Sequence, residues 1–192
     1  MSDQEKPQDD LLLKRVMVVD DSADNLILMA GILEGTYKVK VAKSGPRALA
    51  LAAAEPHPDL ILLDVMMPEM DGYEVCERLK RNPVTSAIPV IFLTARTAPE
   101  DETHAFRCGA VDFITKPINP EVVMSRVHAH LQAKLVADLL RDKNDFLEHE
   151  VQRRTQELMA IQDVTIRIMS SLTQTRDNET GNHIRRTQNY VK

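Results

Sequence analysis

Five polar side chains stand where apolar runs of the sequence stop, and together they could carry out phosphoryl-transfer chemistry. They are Asp20 and Asp21 after the first run, Asp64 after the third, Thr94 after the fourth and Lys116 after the fifth. Crowded carboxylates raise one another's pKa values unless a cation compensates. Mg²⁺ prefers carboxylate oxygens and keeps several waters, so the three aspartates predict a magnesium site.

Each of these residues has a role in such a reaction. Asp20 and Asp21 would hold the ion while Asp64 leaves one oxygen free to attack phosphorus. The Lys116 ammonium would neutralise charge on the phosphoryl group, and the Thr94 hydroxyl could donate to a phosphate oxygen. Ordinary alternatives exist, namely a helix cap for Asp21, a surface lysine and a strand end for Thr94. Together, these alternatives would require several coincidences at one edge.

The elements that must position these residues alternate between two patterns. Short apolar runs bounded by turn residues predict strands at residues 15–20, 37–42, 59–64, 88–94 and 111–115. The segments between them have helical apolar spacing and begin near Ser22, Ser44, Gly72 and Pro99. This order predicts an α/β fold with a doubly wound, five-stranded parallel sheet, whose ligands bind beyond the carboxyl ends of the strands. Residues 37–42 alternate between polar and apolar and favour an edge strand.

The last third of the sequence predicts one long helix. Asn119 is a suitable N-cap, Pro120 suits the first turn, and no glycine or proline occurs from 121 to 180. Two shorter helices are the alternative, and the lack of turn residues argues against them. The apolar positions of this helix are Leu131, Leu135, Leu139 and Leu147, followed by Val151, Leu158, Ile161, Ile168 and Leu172.

The spacing of the later apolar positions fits a coiled-coil seam. From residue 151 they follow steps of seven, three and four, whereas steps of four around 139–147 break the heptad, as a stutter would. We therefore expect a parallel homodimer through the long helix. An antiparallel pair would bury the same residues and is the second possibility.

Composition excludes several classes of protein. The chain has 192 residues, of which 43% are hydrophobic, and no apolar run approaches the roughly 20 residues that span a membrane. The polar N-terminus predicts a disordered lead and not a secretory signal. Cys76 and Cys108 are too few for a disulfide framework, which favours buried thiols and a cytoplasmic protein. The net charge of −5, with no clustered basic face, argues against binding to nucleic acid.

Four motifs together resemble the receiver domain of two-component response regulators. They are Asp20-Asp21, DVMMPEMDG at residues 64–72, Thr94-Ala95 and Lys116-Pro117, and the resemblance covers about residues 13–133. It implies a flavodoxin-like fold and Mg²⁺ as the cofactor. It also implies a sensor histidine kinase or a phosphotransfer protein as the partner that supplies the phosphoryl group.

The resemblance also assigns roles to individual residues. It implies Asp64 as the phosphoacceptor, with Asp20, Asp21 and the backbone carbonyl of Met66 as further metal ligands. The Met66 side chain, two residues after the acceptor, would border the path by which water reaches the phosphoryl group.

Three further positions would respond to the phosphoryl group. Thr94 and Lys116 would sense it, with the Lys116–Pro117 bond in cis. Phe113 would be the switch aromatic, for which an ordinary core position is the alternative.

A second resemblance lies at the end of the chain. Residues 176–186, RDNETGNHIRR, are similar to the opening of the HD-GYP family, which hydrolyses cyclic di-GMP. That resemblance implies Glu179 and His183 as ligands of a multi-iron centre, and their spacing would put both on one face of a helix. The remaining ligands, the His-Asp pair and the GYP motif are not in this sequence.

These patterns divide the chain into four segments. They are a disordered lead over 1–12, a receiver over 13–133, a coiled-coil helix over 120–175 and the start of an HD-GYP-like domain over 176–192. The predicted function is a response regulator whose phosphorylated receiver acts, through a dimeric coiled coil, on a cyclic di-GMP phosphodiesterase domain that this chain does not complete. The alternative is a receiver with a dimerising helix that acts only by binding another protein. A transcription factor is disfavoured, because neither a helix-turn-helix pattern nor a basic patch is present.

Overall fold

The computed structural model describes residues 14–95 and 107–189, with side chains up to residue 169. Within these residues the strands are β1 (Arg15–Val19), β2 (Lys38–Ala42), β3 (Leu60–Asp64), β4 (Val90–Thr94) and β5 (Asp112–Thr115). They form one parallel sheet in the order β2-β1-β3-β4-β5. The five predicted strands and the parallel sheet are confirmed, and β2 is an edge strand as its alternation indicated.

The helices of the described residues are α1 (Ala23–Leu33), α2 (Gly45–Ala53), α3 (Gly72–Arg81) and α4 (Pro120–Asn189), hereafter the long helix. Side-chain oxygens cap three of them by accepting hydrogen bonds from backbone N–H groups. Ser22 accepts from Asn25, Asp71 from Glu74, and Asn119 from Glu121. The helix expected near Pro99 falls outside the described residues, as does the lead over 1–12.

Two apolar layers bury the sheet, one on each face. Alternate residues of β1 and β3 point to opposite faces, so both strands are buried along their whole length except for the half-buried Arg15. One layer contains Met17, Ile61 and the buried residues of α2 and α3. The other contains Val18, Leu62, residues of α1 and the first turns of the long helix. The doubly wound arrangement is therefore confirmed.

The long helix begins at Pro120 and continues past residue 170, as the sequence predicted. It contains 70 residues, and its backbone has no break at the boundary predicted between 175 and 176. Val123, Val127 and Leu131, four residues apart, are buried in the layer that also contains α1. One turn of a helix separates each from the next, so a single face of the helix is anchored there.

The chain divides into two compact units, residues up to 136 and residues from 137 onward. Between 137 and 169, none of the described side chains is buried. Leu158, Ile161 and Ile168 of the predicted seam are 66%, 62% and 55% exposed. The backbone of Leu172 is helical, but its side chain lies beyond the described ones.

Both cysteines are free thiols buried in the first unit. The Cys76 Sγ donates a hydrogen bond to the Cys108 carbonyl oxygen at 3.3 Å. Burial raises the pKa of Cys76 to about 12, so this thiol stays protonated at neutral pH. Among the described residues, no helix combines the length and the apolar character that a membrane span needs.

Candidate active site

The carboxyl ends of four neighbouring strands bring the five polar residues to one edge of the sheet. Asp20 follows β1, Asp64 is the last residue of β3, Thr94 is the last residue of β4, and Lys116 follows β5. Because β3 lies between β1 and β4, Asp64 is central in the row. The structure therefore brings together the residues that the sequence singled out.

The three aspartates form a compact acidic group. Oxygen atoms of Asp20, Asp21 and Asp64 all lie within 4.8 Å of one another. Asp20 and Asp64 are buried, whereas Asp21 is exposed. Two buried carboxylates at this separation need compensating charge and hydrogen bonds to remain ionised.

Lys116 supplies part of that compensation. Its Nζ lies 2.9 Å from Asp64 Oδ2 and 3.2 Å from Asp20 Oδ2. Burial alone would lower the pKa of Lys116, but its contacts with the two carboxylates outweigh this effect and raise the pKa. Burial raises the pKa of Asp64, while the hydrogen bond and the charge of Lys116 oppose that shift. The lysine therefore remains an ammonium that contacts the central carboxylate.

Asn25, on the first turn of α1, is a site residue that sequence reasoning missed. Its Nδ2 lies 3.0 and 2.9 Å from the two carboxyl oxygens of Asp20, and the Ser22 N–H donates to Asp20 Oδ1 at 2.9 Å. With Lys116, these groups surround Asp20 with donors. The available signal was the position of Asn25 in the first turn of a helix that begins directly after the aspartate pair.

The loop after β3 approaches Asp64 closely. The Met66 N–H lies 3.4 Å from Asp64 Oδ1, while the Met66 side chain is 56% exposed. The Gly72 N–H donates to the Val65 carbonyl oxygen at 2.9 Å. A Cβ atom at Gly72 would lie 2.2 Å from the Asp64 carbonyl oxygen, so only glycine fits where α3 begins.

Thr94 and the residues of β5 complete this edge of the sheet. Thr94 is buried, and its carbonyl oxygen accepts a hydrogen bond from the Lys116 N–H at 2.8 Å. The Lys116–Pro117 bond is cis, as the resemblance implied. Phe113 is half-buried against the layer that contains α2 and α3, and its N–H donates to Asp112 Oδ1. Its predicted role as a switch remains a prediction.

The donor set fits a hard divalent cation. All three side-chain donors are carboxylate oxygens, and each such oxygen has two lone pairs, so the hydrogen bonds to Asp20 leave it able to bind a metal. The exposed Asp21 opens the group to solvent, where waters could complete the coordination. The side chains of Glu179 and His183 lie outside the described ones, so their assignment stays a prediction.

The family model for the response regulator receiver domain matches residues 16–128. The chain is 50% identical over 184 residues to a "Probable cyclic di-GMP phosphodiesterase" from Vibrio cholerae, an alignment that covers 96% of this chain and 42% of that protein. It is 45% identical over 130 residues to "Response regulator PleD" from Caulobacter vibrioides, covering 67% of this chain and 28% of PleD. The chain thus spans less than half the length of either relative.

Solved structures show the same fold. A crystal structure of the signal receiver domain of a histidine kinase from Syntrophus aciditrophicus is 40% identical, with a TM-score of 0.58. The match covers 62% of this chain and 91% of that one. The family match over residues 16–128 includes all five polar residues at the carboxyl-terminal edge of the sheet.

Proposed function

The chain belongs to the response regulator receiver family of two-component systems, and we propose that it accepts a phosphoryl group on Asp64. A sensor histidine kinase or a phosphotransfer protein would supply that group. The observation that carries the proposal is the contact of Lys116 with Asp64 and Asp20, at the edge where Asp21 completes the acidic group. A plain structural ion pair would not need a third carboxylate beside the two that contact the ammonium.

In the proposed reaction, one Asp64 oxygen attacks phosphorus and a new P–O bond forms. The bond between phosphorus and the donor breaks, and its electron pair leaves with the donor. The Lys116 ammonium, already 2.9 Å from Asp64, is positioned to neutralise charge that the phosphoryl oxygens bring. Asn25 and the Ser22 N–H hold Asp20 in place during this step.

We propose that Mg²⁺ binds to Asp20, Asp21, Asp64 and the Met66 backbone carbonyl. When bound, the ion would supply positive charge that stabilises the transferring phosphoryl group. The all-oxygen donor set supports this choice of metal.

Thr94 and Phe113 are proposed to report the phosphorylated state. The Thr94 hydroxyl, at the end of β4, would donate to a phosphoryl oxygen, and Phe113 would change position in response. The Thr94 carbonyl oxygen accepts a hydrogen bond from the backbone N–H of Lys116. That connection supports a response that spreads along this edge of the sheet.

The proposed output is a cyclic di-GMP phosphodiesterase domain of the HD-GYP type, controlled through a dimer of the long helix. The domain limits are those proposed from the sequence, with the receiver over 13–133, the coiled coil over 120–175 and the output domain from 176. Two observations support this output, namely the name of the Vibrio cholerae relative and the exposed apolar seam. Binding to nucleic acid is not part of the proposal.

Phosphorylation of Asp64 can be tested by incubating the chain with a small phosphodonor and Mg²⁺. The intact mass should show one added phosphoryl group, which disappears in Asp64→Asn and when Mg²⁺ is chelated. Asp59→Asn is the matched control, because Asp59 lies at the opposite end of β3 and binds Lys14 and the Arg15 N–H. Full labelling of Asp64→Asn would refute the assignment.

The output proposal needs a longer protein that contains this chain. Such a protein should hydrolyse cyclic di-GMP, and Glu179→Ala or His183→Ala should remove that activity. Asp64→Asn should change the rate without abolishing it, since the receiver regulates the reaction and does not catalyse it. Failure of hydrolysis with normal phosphorylation of Asp64 would reject the output and leave the receiver assignment standing.

A further inference from the structure

The exposed face of the long helix carries an unbroken heptad pattern from Leu140 to Ile168. Its apolar members are Leu140, Leu147, Val151, Leu158, Ile161 and Ile168, which are between 49% and 66% exposed. The step from Leu140 to Leu147 is seven residues. If Leu140 instead of Leu139 occupies the heptad position, the stutter expected near 139–147 is not needed. The remaining heptad positions in this stretch hold Asn144, Arg154 and Thr165.

We propose that a second copy of the chain packs on this face in parallel and in register, with Asn144 opposite Asn144, and that the polar positions exclude other registers. This inference rests on the proposed dimer and specifies how its two helices pair. It concerns only residues from 140 to 168.

A groove on the helix surface supports this occupant. Its volume is about 470 Å³, and its lining includes Asn144, Leu147, Glu148 and Val151. These four residues have the spacing of one hole in a coiled coil, into which a side chain of the facing helix inserts. In the in-register pair, that side chain is Leu147 of the second copy.

Asn144 favours the alignment in which it meets its own counterpart. Two facing amides can hydrogen-bond to each other within the seam. A shift of one heptad would instead place Asn144 against Val151, which leaves the amide without a partner in an apolar layer. A single asparagine at such a position is known to fix register in coiled coils.

Arg154 adds a second constraint on the register. Its Nε lies 3.2 Å from Glu150 Oε1, and its Nη1 lies 3.6 Å from Glu157 Oε2. The guanidinium is therefore neutralised within its own helix, and its stem can cover the seam while the charge stays in water. In register, Arg154 faces Arg154 of the second copy in a single layer, and each guanidinium keeps the glutamate partners of its own helix. A shift of one heptad would instead place Arg154 of one helix against Ile161 and that of the other against Leu147, so two apolar layers would each contain a charged side chain.

Charged residues beside the seam favour the parallel orientation. In a parallel pair, Lys143 of one helix lies beside Glu148 of the other, because flanking positions five residues apart meet. The competing antiparallel alignment places Asn144 opposite Arg154 and also buries the apolar residues. It brings Glu148 close to its counterpart, and Glu150 close to its own, so like charges meet. The same alignment places Lys143 beside Glu157, but Glu157 already pairs with Arg153 and Arg154 of its own helix.

The test uses the full chain with a reporter cysteine, Thr165→Cys, at a seam position. The native Cys76 and Cys108 are buried and should not interfere. Sedimentation should show a dimer, and mild oxidation should link nearly all of it through residue 165. Adding Asn144→Val should reduce the linked fraction and produce larger or mixed assemblies, whereas the off-seam control Gln156→Val should change neither.

Three outcomes would overturn the inference, and they can be told apart. A monomeric wild type would reject the proposed dimer as well as its register, while leaving phosphorylation of Asp64 unaffected. A dimer that does not link through residue 165 would keep the dimer and reject the parallel register. A dimer whose linked fraction and size are unchanged by Asn144→Val would reject the role of the polar position.

Discussion

Leucines in the two units of the chain have opposite surroundings. Leu62 in β3 is fully buried between helices that the same chain provides. Leu158 in the long helix is 66% exposed, and no described side chain from 137 to 169 is buried. The two regions contain similar apolar residues, but only the first encloses them.

This difference shows that a segment can be rich in apolar residues without having other parts of the same chain to bury them. In the first unit, strands whose two faces are both apolar are covered by helices from neighbouring parts of the sequence. In the second unit, a single helix has no further element to pack against within the described residues. Such a helix gains little from propensity alone, so its stability depends on another surface.

The largest expected effect is on association. Leu158→Asp combined with Ile161→Asp should convert the dimer into a monomer, because two charges would enter a seam where each buried Leu or Ile contributes roughly 1.5–3 kcal/mol. Sedimentation at tens of micromolar, a range that reports on dissociation constants near roughly 1 μM, measures this change. Unfolding of the first unit should be unaffected.

Gln156→Asp combined with Ala160→Asp adds the same charges at exposed positions away from the seam and serves as the control. It should stay dimeric. If Leu158→Asp with Ile161→Asp also stays dimeric, a surface of the first unit makes the interface. The exposed apolar residues of the long helix would then not be the ones that a second copy buries.

The next prediction concerns Leu62, the buried leucine of the first unit, and its effect on stability instead of association. Leu62→Ala should lower the free energy of unfolding by about 2–5 kcal/mol, because it leaves a cavity between the sheet and its helices. Denaturant unfolding measures the loss, and the dimer should persist under native conditions. Leu28→Ala on α1, where Leu28 is 51% exposed, should change stability by less than about 0.5 kcal/mol.

A polar contact in the first unit should have a smaller, pH-dependent effect. Asp112 in β5 accepts hydrogen bonds from Arg126, from His130 at 3.0 Å and from the Phe113 N–H at 2.8 Å. Burial alone would raise the pKa of Asp112, but the bonds from Arg126 and His130 outweigh it and lower the pKa. A carboxyl group of this kind stabilises the fold above its unfolded pKa of about 3.9, and this contribution is lost as the pH falls through the folded pKa.

Asp112→Asn should therefore destabilise the chain at pH 7 by about 1–2 kcal/mol. The difference from wild type should begin to shrink below about pH 4 and should disappear only once the pH has fallen below the folded pKa of Asp112. Unfolding midpoints measured across this range test the prediction. Asp163→Asn breaks an exposed ion pair with Arg167 in the second unit and should have little effect at any pH. A constant deficit in Asp112→Asn down to pH 3 would exclude the carboxylate as the cause.

The smallest effect concerns Met66, an exposed apolar side chain in the first unit. Its position beside Asp64 suggests a role at the site and not in association. Met66→Asn should speed loss of the phosphoryl group by less than about tenfold, or about 1.4 kcal/mol, because an amide can orient water by hydrogen bonding. The rate is followed by mass after removal of the donor, and an unchanged or slower rate would argue against this role.

The sequence predicted most of the fold because local signals and burial agree. The apolar runs that end at Asp64 and Thr94 are strands buried on both faces, and the order of strands and helices left few topologies. The five residues at the edge followed from the rule that strand ends meet there. The long helix followed from the absence of any residue that would end it.

What the sequence did not indicate depends on contacts between distant atoms. Asn25 has an ordinary first-turn position in the sequence, but its amide contacts both carboxyl oxygens of Asp20. No sequence pattern marks Lys80, whose Nζ donates to the carbonyl oxygens of Ser86 and Ile88, at 3.0 and 2.7 Å. Burial lowers the pKa of this lysine.

The tight fit at Gly72 has a consequence for mutational scanning. A side chain there would meet the backbone of Asp64 and Val65, so most substitutions should abolish the response to phosphorylation as completely as substitutions at Asp64. A screen that scores only the response to phosphorylation would rank the two positions together, although Asp64 is proposed to accept the phosphoryl group and Gly72 only leaves space. Separating them requires an abundance score beside the activity score, because Asp64→Asn should accumulate normally and Gly72→Val should not.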